Sequence, residues 1–445
     1  MGGAERVTRE GALSERAERV VARSSSPYYA GWKEVARNPY DKKSNPEGCI
    51  QLGLAENMLS VDLIEEWLSV HRLDFSGYPG GPANVHDDAP YQSNHGSLRI
   101  RQAFAKFMQK ALQLRTPLEP EHVLVGGGCS GLIEILAFSL ADPGQGFLHP
   151  SPIYPGFETD TLVRAGTPLL LVPGKSADHF AVTRDDLEAA VAEHSARGLV
   201  PRALLLASPN NPLGTTYTHE QLSSYLAFCK ARSLHVISDE IYAASVFGPP
   251  AFVSMLTVVE ESDKETREFA REHVHVLYGI SKDLGLPGFR LGGMYTRNAR
   301  LAEATSAQLR FCSASSVTQR LVTSLLEDEA FLDYFFEENR TRLRRRQHLL
   351  VTGFAEAGIQ TVPANSGLFV FANFRPFLET LDEEGEFAFY MELLKEIRIN
   401  ANPGVACRSP EPGWFRVCFA AASDDALEAA VHRLKDFAER TRRRD

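Results

Sequence analysis

The sequence predicts an α/β protein in which a mostly parallel sheet is sandwiched by helices, joined to a smaller α+β domain. Three observations predict it. Short apolar runs rich in valine, isoleucine and leucine recur with helical or loop stretches between them, the pattern of parallel strands covered on both faces. Polar residues able to do chemistry gather just past the carboxyl ends of those runs, where open α/β sheets bind their ligands. Beyond about residue 325 the pattern changes to one long helix, Glu327 to Ala357, and then to a smaller unit.

Taken in order, strands are expected at His122 to Val125, Leu169 to Val172, Ala203 to Ala207, His235 to Ser238, His273 to Tyr278 and Leu291 to Tyr295. The first runs into Val125-Gly126-Gly127-Gly128-Cys129-Ser130-Gly131 and a helix from Leu132 to Leu140. A glycine-rich turn at a helix N-terminus offers unpaired backbone N–H groups and a favourable dipole to an anion. Its spacing fits neither the dinucleotide nor the P-loop pattern. The run Ala203 to Ala207 closes on Ser208-Pro209-Asn210-Asn211-Pro212-Leu213-Gly214, a turn by its Asn, Pro and Gly content. The run from Leu234 ends in the acid Asp239, with Tyr242 three residues on. His273 and His275 alternate with valines and read as strand residues, not metal ligands. The Arg342-Leu343-Arg344-Arg345-Arg346 run is expected on the solvated face of the long helix, and a last helix from Asp425 to Arg443 closes the chain. The division that follows is an N-terminal segment, residues 1–64, contributing to a small domain; a large domain over 65–325; and a C-terminal small domain over 326–445.

The chemistry is densest in Ser281-Lys282-Asp283-Leu284-Gly285-Leu286-Pro287-Gly288-Phe289-Arg290, which sets one lysine eight positions before one arginine across a Leu-Pro-Gly turn. A lysine past the end of a buried strand loses some preference for its charged form, so its neutral amine can attack an aldehyde and carry protons at a substrate's α carbon. An arginine placed there grips a phosphate bidentately, with charge-assisted contacts of roughly 2 kcal/mol each. Amine and guanidinium together are what pyridoxal 5′-phosphate requires. That cofactor also needs a carboxylate opposite its ring nitrogen, since a protonated pyridine is the stronger electron sink. Asp239 fits that role, Tyr242 and Asn211 fit donors to the ring oxygen, and Ser130-Gly131 adds to the phosphate cradle. Each alone has a plainer reading: a strand cap, a turn, tight packing.

Further segments carry a family resemblance. Ser26-Pro27-Tyr28, Asn38-Pro39-Tyr40-Asp41, Leu52-Gly53-Leu54-Ala55-Glu56-Asn57 and Pro152-Ile153-Tyr154-Pro155-Gly156-Phe157 are followed by Asn211-Pro212-Leu213-Gly214, Ser238 to Tyr242, Ser281 to Arg290 and Glu411 to Phe419. In this order the chain resembles the fold-type I pyridoxal-phosphate enzymes of the class I aminotransferase group. Its Ala-Glu-Asn and Pro-Gly-Trp-Phe-Arg-Val segments are most like 1-aminocyclopropane-1-carboxylate (ACC) synthase. The resemblance implies that Lys282 is the Schiff-base lysine, with Ser281 beside it, and Asp239 the pyridinium partner. It makes Tyr154 the aromatic stacked on the ring, and Arg290 with Ser130 and Gly131 the phosphate site. Arg416 becomes the clamp on the substrate's α-carboxylate, and Ala55 and Glu56 flank the substrate, the glutamate suiting a sulfonium cation.

Two positions depart from that family. Asn94, in Gln92-Ser93-Asn94-His95-Gly96, stands where a tyrosine reaches the neighbouring subunit's cofactor and substrate, and Gly279 stands where a phosphate-binding serine is usual. The segment Gly77 to Ala89 is also short and differently composed. The resemblance implies a substrate, S-adenosylmethionine, that loses its α proton and then methylthioadenosine from the γ carbon. Two fates stay open: closure to ACC, or γ-replacement or annulation with a second substrate. A transaminase or carbon–sulfur lyase would use the same Lys282, Asp239 and Arg416, and a non-catalytic regulator on an aminotransferase-like body is a further alternative.

Composition fits an enzyme of small molecules. With 445 residues, 44% of them hydrophobic, the chain can bury a large core, and its net charge of -10 opposes nucleic acid. No apolar run approaches the ~18 residues of a membrane span, and the start lacks a signal-peptide core. The six cysteines show no paired metal spacing and read as reduced, cytoplasmic thiols. The resemblance implies a homodimer with shared active sites, the Asn94 segment serving the partner's site.

Overall fold

The computed structural model describes residues 27–71 and 89–442, with residues 13, 17, 20 and 21 besides. After a short strand β1 (Ile50–Gln51), strands β2 (Val123–Gly126), β3 (Gln145–Ser151), β4 (Leu169–Pro173), β5 (Val200–Ala207), β6 (His235–Asp239), β7 (Val274–Gly279) and β8 (Gly292–Thr296) follow. Strands β2 to β8 form a seven-stranded sheet in the order β2-β8-β7-β6-β5-β3-β4. From β7 to β4 the neighbours are parallel, while β8 runs antiparallel to both β7 and β2.

The near-continuous apolar strands follow from burial on both faces. In β5, Leu204 and Leu206 pack with Phe104, Phe107, Leu222 and Leu226 on one side of the sheet, and Ala203 and Leu205 pack with Leu132, Ile133 and Leu136 on the other. The two-residue pleat sends alternate side chains to opposite helical layers, so every position must be apolar.

The smaller body holds β9 (Gln360–Thr361), β10 (Phe369–Asn373), β11 (Ile399–Asn400), β12 (Asn402–Pro403) and β13 (Trp414–Cys418). An antiparallel sheet runs β12-β13-β10-β9, and β1 pairs in parallel with β11. A separate core of Phe354, Phe369, Phe389, Phe415 and Leu427 lies beneath it. Through β1 the segment before residue 64 joins this body.

Four expectations need correction. Strand β3 was not anticipated: Gly146, His149 and Pro150 break the apolar pattern, yet the strand is buried between β4 and β5. His273 ends the helix Lys264–His273 instead of opening β7, and His275 alone lies in the strand, fully buried. The long helix spans Glu329–Ala357, because the Asp328 side chain accepts the Phe331 N–H at 3.0 Å as its N-terminal cap. Its arginines do not share one solvated face. Arg342 bonds the Leu59 carbonyl at 2.6 Å, Arg344 the Phe247 carbonyl at 2.8 Å, and buried Arg346 the Phe419 carbonyl at 3.1 Å. A helix lodged between two bodies has bonding work on several sides.

Among the described residues no helix is long and apolar enough to cross a membrane, and no cluster of His, Cys, Asp and Glu could hold a metal ion. Residues 1–12 and the segment Gly77 to Asp88 lie outside the described residues.

Candidate active site

At the carboxyl ends of β5, β6 and β7 the structure opens one cavity of about 140 Å³, lined by Ser130, Tyr154, Asn211, Asp239, Tyr242, Ser281, Lys282 and Arg290 among others. These residues come from segments up to 160 positions apart in the chain. Gly131 sits behind Ser130 in the first turn of the helix Cys129–Leu140.

Lys282 follows β7 by three residues. Its Nζ donates to the Ala55 carbonyl at 2.6 Å, so Ala55 touches the site through its backbone. Burial, and next the charge of Arg416, bring the amine down to about 8. The turn is pinned from beneath by Asp283, fully buried, which accepts from the Tyr278 hydroxyl at 2.6 Å, the Ala244 N–H at 2.8 Å and the Ser245 hydroxyl. Since Ala244 and Ser245 lie two and three residues past Tyr242, Asp283 ties the lysine turn to the tyrosine turn.

Asp239 ends β6. Its Oδ1 is shielded from solvent and has no hydrogen-bond partner among the described residues. Burial pushes this carboxyl up to about 7, against the Ile241 N–H and the Lys282 charge. A buried carboxylate oxygen aimed into a cavity is costly unless something arrives to pair with it. Tyr242 accepts from the Asn211 amide at 3.5 Å, and Asn211 Oδ1 accepts from Arg416 Nη1 at 3.0 Å. Arg416, on β13 and fully buried, also bonds the Gly53 carbonyl at 3.0 Å and lies over the Phe369 ring at 5.3 Å. Arg416 does not itself line the cavity but stands behind Asn211, and a guanidinium held so firmly is preorganised for a carboxylate.

The anion end is built from the glycine turn. Gly128 caps the helix Cys129–Leu140 at φ 96, and a Cβ there would lie 3.1 Å from Arg290 Nη2, so only glycine lets backbone and guanidinium come this close. Arg290 has a left-handed backbone (φ 52) and bonds the Gly127 and Pro287 carbonyls at 3.1 and 3.0 Å. That conformation costs an arginine of the order of 1 kcal/mol and aims its side chain along the turn.

Other expected residues lie farther out. Glu56 does not line the cavity, though its charge reaches Lys282. Asn94 lines a different cleft, with Tyr91, Arg310, Ser313 and Gln319, and within one chain it does not meet the Lys282 cavity. A side chain at Gly279 would meet Ile241 at 3.1 Å and the Cys129 thiol at 3.3 Å, so Cys129 fills the room beside the missing serine.

Cys129, Asp160, Ile133 and Phe157 line the cavity without having been singled out from the sequence, and Asp283 and Asn57 support it. The Asn57 amide bonds the Lys282 carbonyl at 3.3 Å. Cys129, Phe157, Asp283 and Asn57 fall inside segments already quoted for other residues, whereas Asp160, six residues past Tyr154, lies outside them.

The arrangement fits pyridoxal 5′-phosphate. One end of the cavity offers cationic and N–H donors, a lone carboxylate oxygen faces in from β6, and a buried amine stands at the far side. Comparison with known proteins agrees. The family model for aminotransferase class I and II matches residues 50–434. 1-Aminocyclopropane-1-carboxylate synthase 4 of Oryza sativa subsp. japonica is 40% identical over 444 residues, covering 96% of this chain and 89% of that protein. 1-Aminocyclopropane-1-carboxylate synthase 7 of Arabidopsis thaliana is 39% identical, covering 94% and 93%. The fold is shared with a Pyrococcus structure titled protein-A1 (TM-score 0.77, 22% identity, 96% and 99% covered) and a Thermus thermophilus aspartate aminotransferase double mutant (TM-score 0.75, 21% identity, 96% and 99% covered). The chain belongs to the class I and II aminotransferase family, as a pyridoxal 5′-phosphate-dependent enzyme similar to the ACC synthases.

Proposed function

We propose that this enzyme takes S-adenosylmethionine, removes its α proton and expels methylthioadenosine from the γ carbon, closing the three-membered ring of ACC. The observation that carries the reading is the buried Lys282 amine, facing Asp239 and Arg416, in a chain that matches ACC synthases over nearly its full length.

Lys282 and Arg290 would hold the cofactor by its aldehyde and phosphate ends, Asp239 would keep its ring nitrogen protonated, Asn211 and Tyr242 would hydrogen-bond its ring oxygen, and Tyr154 would cover its face. Pyridoxal phosphate, when bound, supplies an electron sink conjugated to the substrate's α carbon. Arg416 receives the α-carboxylate and turns the Cα–H bond toward Lys282. The Lys282 amine, neutral above about pH 8, takes that proton. The electron pair left on Cα bonds to Cγ as the Cγ–S bond breaks. Sulfur leaves as a neutral thioether, so charge balances without an oxidant or reductant. Glu56 lies outside the cavity lining, but its charge reaches Lys282, and a carboxylate at that range would favour the substrate's sulfonium cation until the neutral thioether leaves.

A second reading is γ-replacement or annulation onto a second substrate, favoured by Asn94 in place of the family tyrosine. In both readings the enzyme works as a homodimer. The Asn94 cleft is lined by exposed Tyr91, and Phe311, next in the chain to the lining Arg310, is exposed as well, apolar surface suited to a second copy of the chain.

Incubation with S-adenosylmethionine, followed by mass spectrometry, tests the reading: methylthioadenosine and free ACC are expected in equal amounts. Methylthioadenosine with an adduct and no ACC would favour the second reading. No methylthioadenosine with any co-substrate would refute both, and a 2-oxo acid product would point to transamination.

A further inference from the structure

Asp160 belongs to no role assigned so far. It lies on the helix Gly156–Leu162, just behind Tyr154, and lines the Lys282 cavity at the anion end. Its side chain hydrogen-bonds Ser130. Although the residue as a whole is only half-buried, its Oδ2 is shielded from solvent and has no partner among the described residues. A carboxyl group at the place built for a phosphate dianion is an electrostatic conflict, and its protonation state decides how the conflict resolves.

Ser130 has one hydroxyl proton. If Asp160 is a carboxylate it accepts that proton, the hydroxyl turns away from the cavity, and a negative charge stands beside the phosphate. If Asp160 carries a proton it donates to Ser130, whose own hydrogen is then released to point at the phosphate. The groups facing Asp160 favour the second state on balance. Asp239 at the end of β6 and Glu134 on the helix Cys129–Leu140 repel an added negative charge, and the Cys129 thiol also faces Asp160; Arg290 attracts a negative charge but is shared with the Gly127 and Pro287 carbonyls; and Arg164 is drawn off to Glu134 at 3.4 Å. We propose that Asp160 is a neutral proton donor that turns the Ser130 hydroxyl toward the cofactor phosphate, so that phosphate binding and protonation of Asp160 are coupled. This rests on the cofactor assignment above and deepens it at the phosphate end. Burial first, opposed by the Ser130 hydrogen bond and reinforced by Asp239, holds the group up to about 8, so a proton is present at neutral pH and a bound dianion holds it more tightly still.

The test uses the apo-enzyme and two probes without an aldehyde, so that Lys282 forms no covalent bond. These are pyridoxamine 5′-phosphate and pyridoxamine, titrated by calorimetry on either side of pH 8. For the phosphorylated probe, the wild-type dissociation constant is expected to rise about tenfold per pH unit above 8, with uptake of about one proton. Asp160→Asn, whose amide also donates to Ser130, is expected to keep the neutral-pH affinity within about threefold and to lose that pH dependence. Pyridoxamine is expected to show no difference between the two proteins. The inference is overturned if Asp160→Asn keeps the wild-type slope, or if its neutral-pH affinity falls more than tenfold. Should the variant fail to fold, wild-type enzyme that takes up no more protons with the phosphorylated probe than with pyridoxamine overturns it equally. Wild-type enzyme that binds neither pyridoxamine 5′-phosphate nor pyridoxal 5′-phosphate at any pH overturns the cofactor assignment itself, and this inference with it.

Discussion

Lys282 and Arg416 show how a residue's surroundings, more than its type, decide what it does. A solvated lysine stays charged far above neutral pH; burial and Arg416 bring this one down to about 8, so a usable fraction of neutral amine exists near physiological pH. The sign follows directly: below 8 the neutral fraction falls tenfold per unit. The association rate of pyridoxal 5′-phosphate with the apo-enzyme, followed by absorbance in stopped flow, should therefore climb with pH and level off above about 8. Lys282→Ala should lower turnover by about 10³-fold or more, the range of a lost proton-transfer group, and should abolish the imine absorbance band. Arg416→Lys keeps the charge but loses the planar fork that meets Asn211 and Gly53. A rise in KM of about tenfold, with a smaller change in kcat, is expected from steady-state assays.

At the scale of elements, the site depends on turns held in fixed relation by buried acceptors. Asp283 accepts three hydrogen bonds and thereby locks the turn after β7 to the turn after β6. Asp283→Ala would strand two hydroxyls and one N–H away from water, and chemical denaturation should report a loss of about 3 kcal/mol in stability. Cofactor affinity should fall with it, because Lys282 and Tyr242 are then no longer held together. The long helix Glu329–Ala357 is a second such device. Its Arg342, Arg344 and Arg346 reach three different segments, so what reads as a charge run is a set of ties between two bodies.

For the molecule as a whole, the position of Asn94 is the informative fact. It lies in a cleft of its own with exposed Tyr91, away from the Lys282 cavity of the same chain, and exposed Phe311 follows Arg310 of the same cleft in the chain. If that surface meets a second copy, Phe311→Asp should shift light scattering from a dimer mass toward a monomer mass, by burying a charge in an apolar contact. Turnover should fall in proportion to the dimer lost.

The sequence by itself determined the alternation of apolar strands with helices, and with it the parallel sheet and the side of the sheet on which ligands bind. Those features are written in local patterns: the pleat demands apolar residues at every position of a twice-covered strand, and turns need Gly, Asn and Pro where they occur. It also brought Lys282, Asp239, Asn211, Tyr242 and Arg290 to notice, in the segments at or beyond strand ends, and the structure gathers all five around one cavity. Strand β3 escaped because Gly146 and Pro150 disguise it and only burial between β4 and β5 makes it a strand. Asp160, Cys129 and Asp283 escaped for a related reason. Nothing in an isolated aspartate or cysteine marks it as facing a cavity, and only the packing of distant segments decides which carboxyl oxygens lose their water and which find a partner.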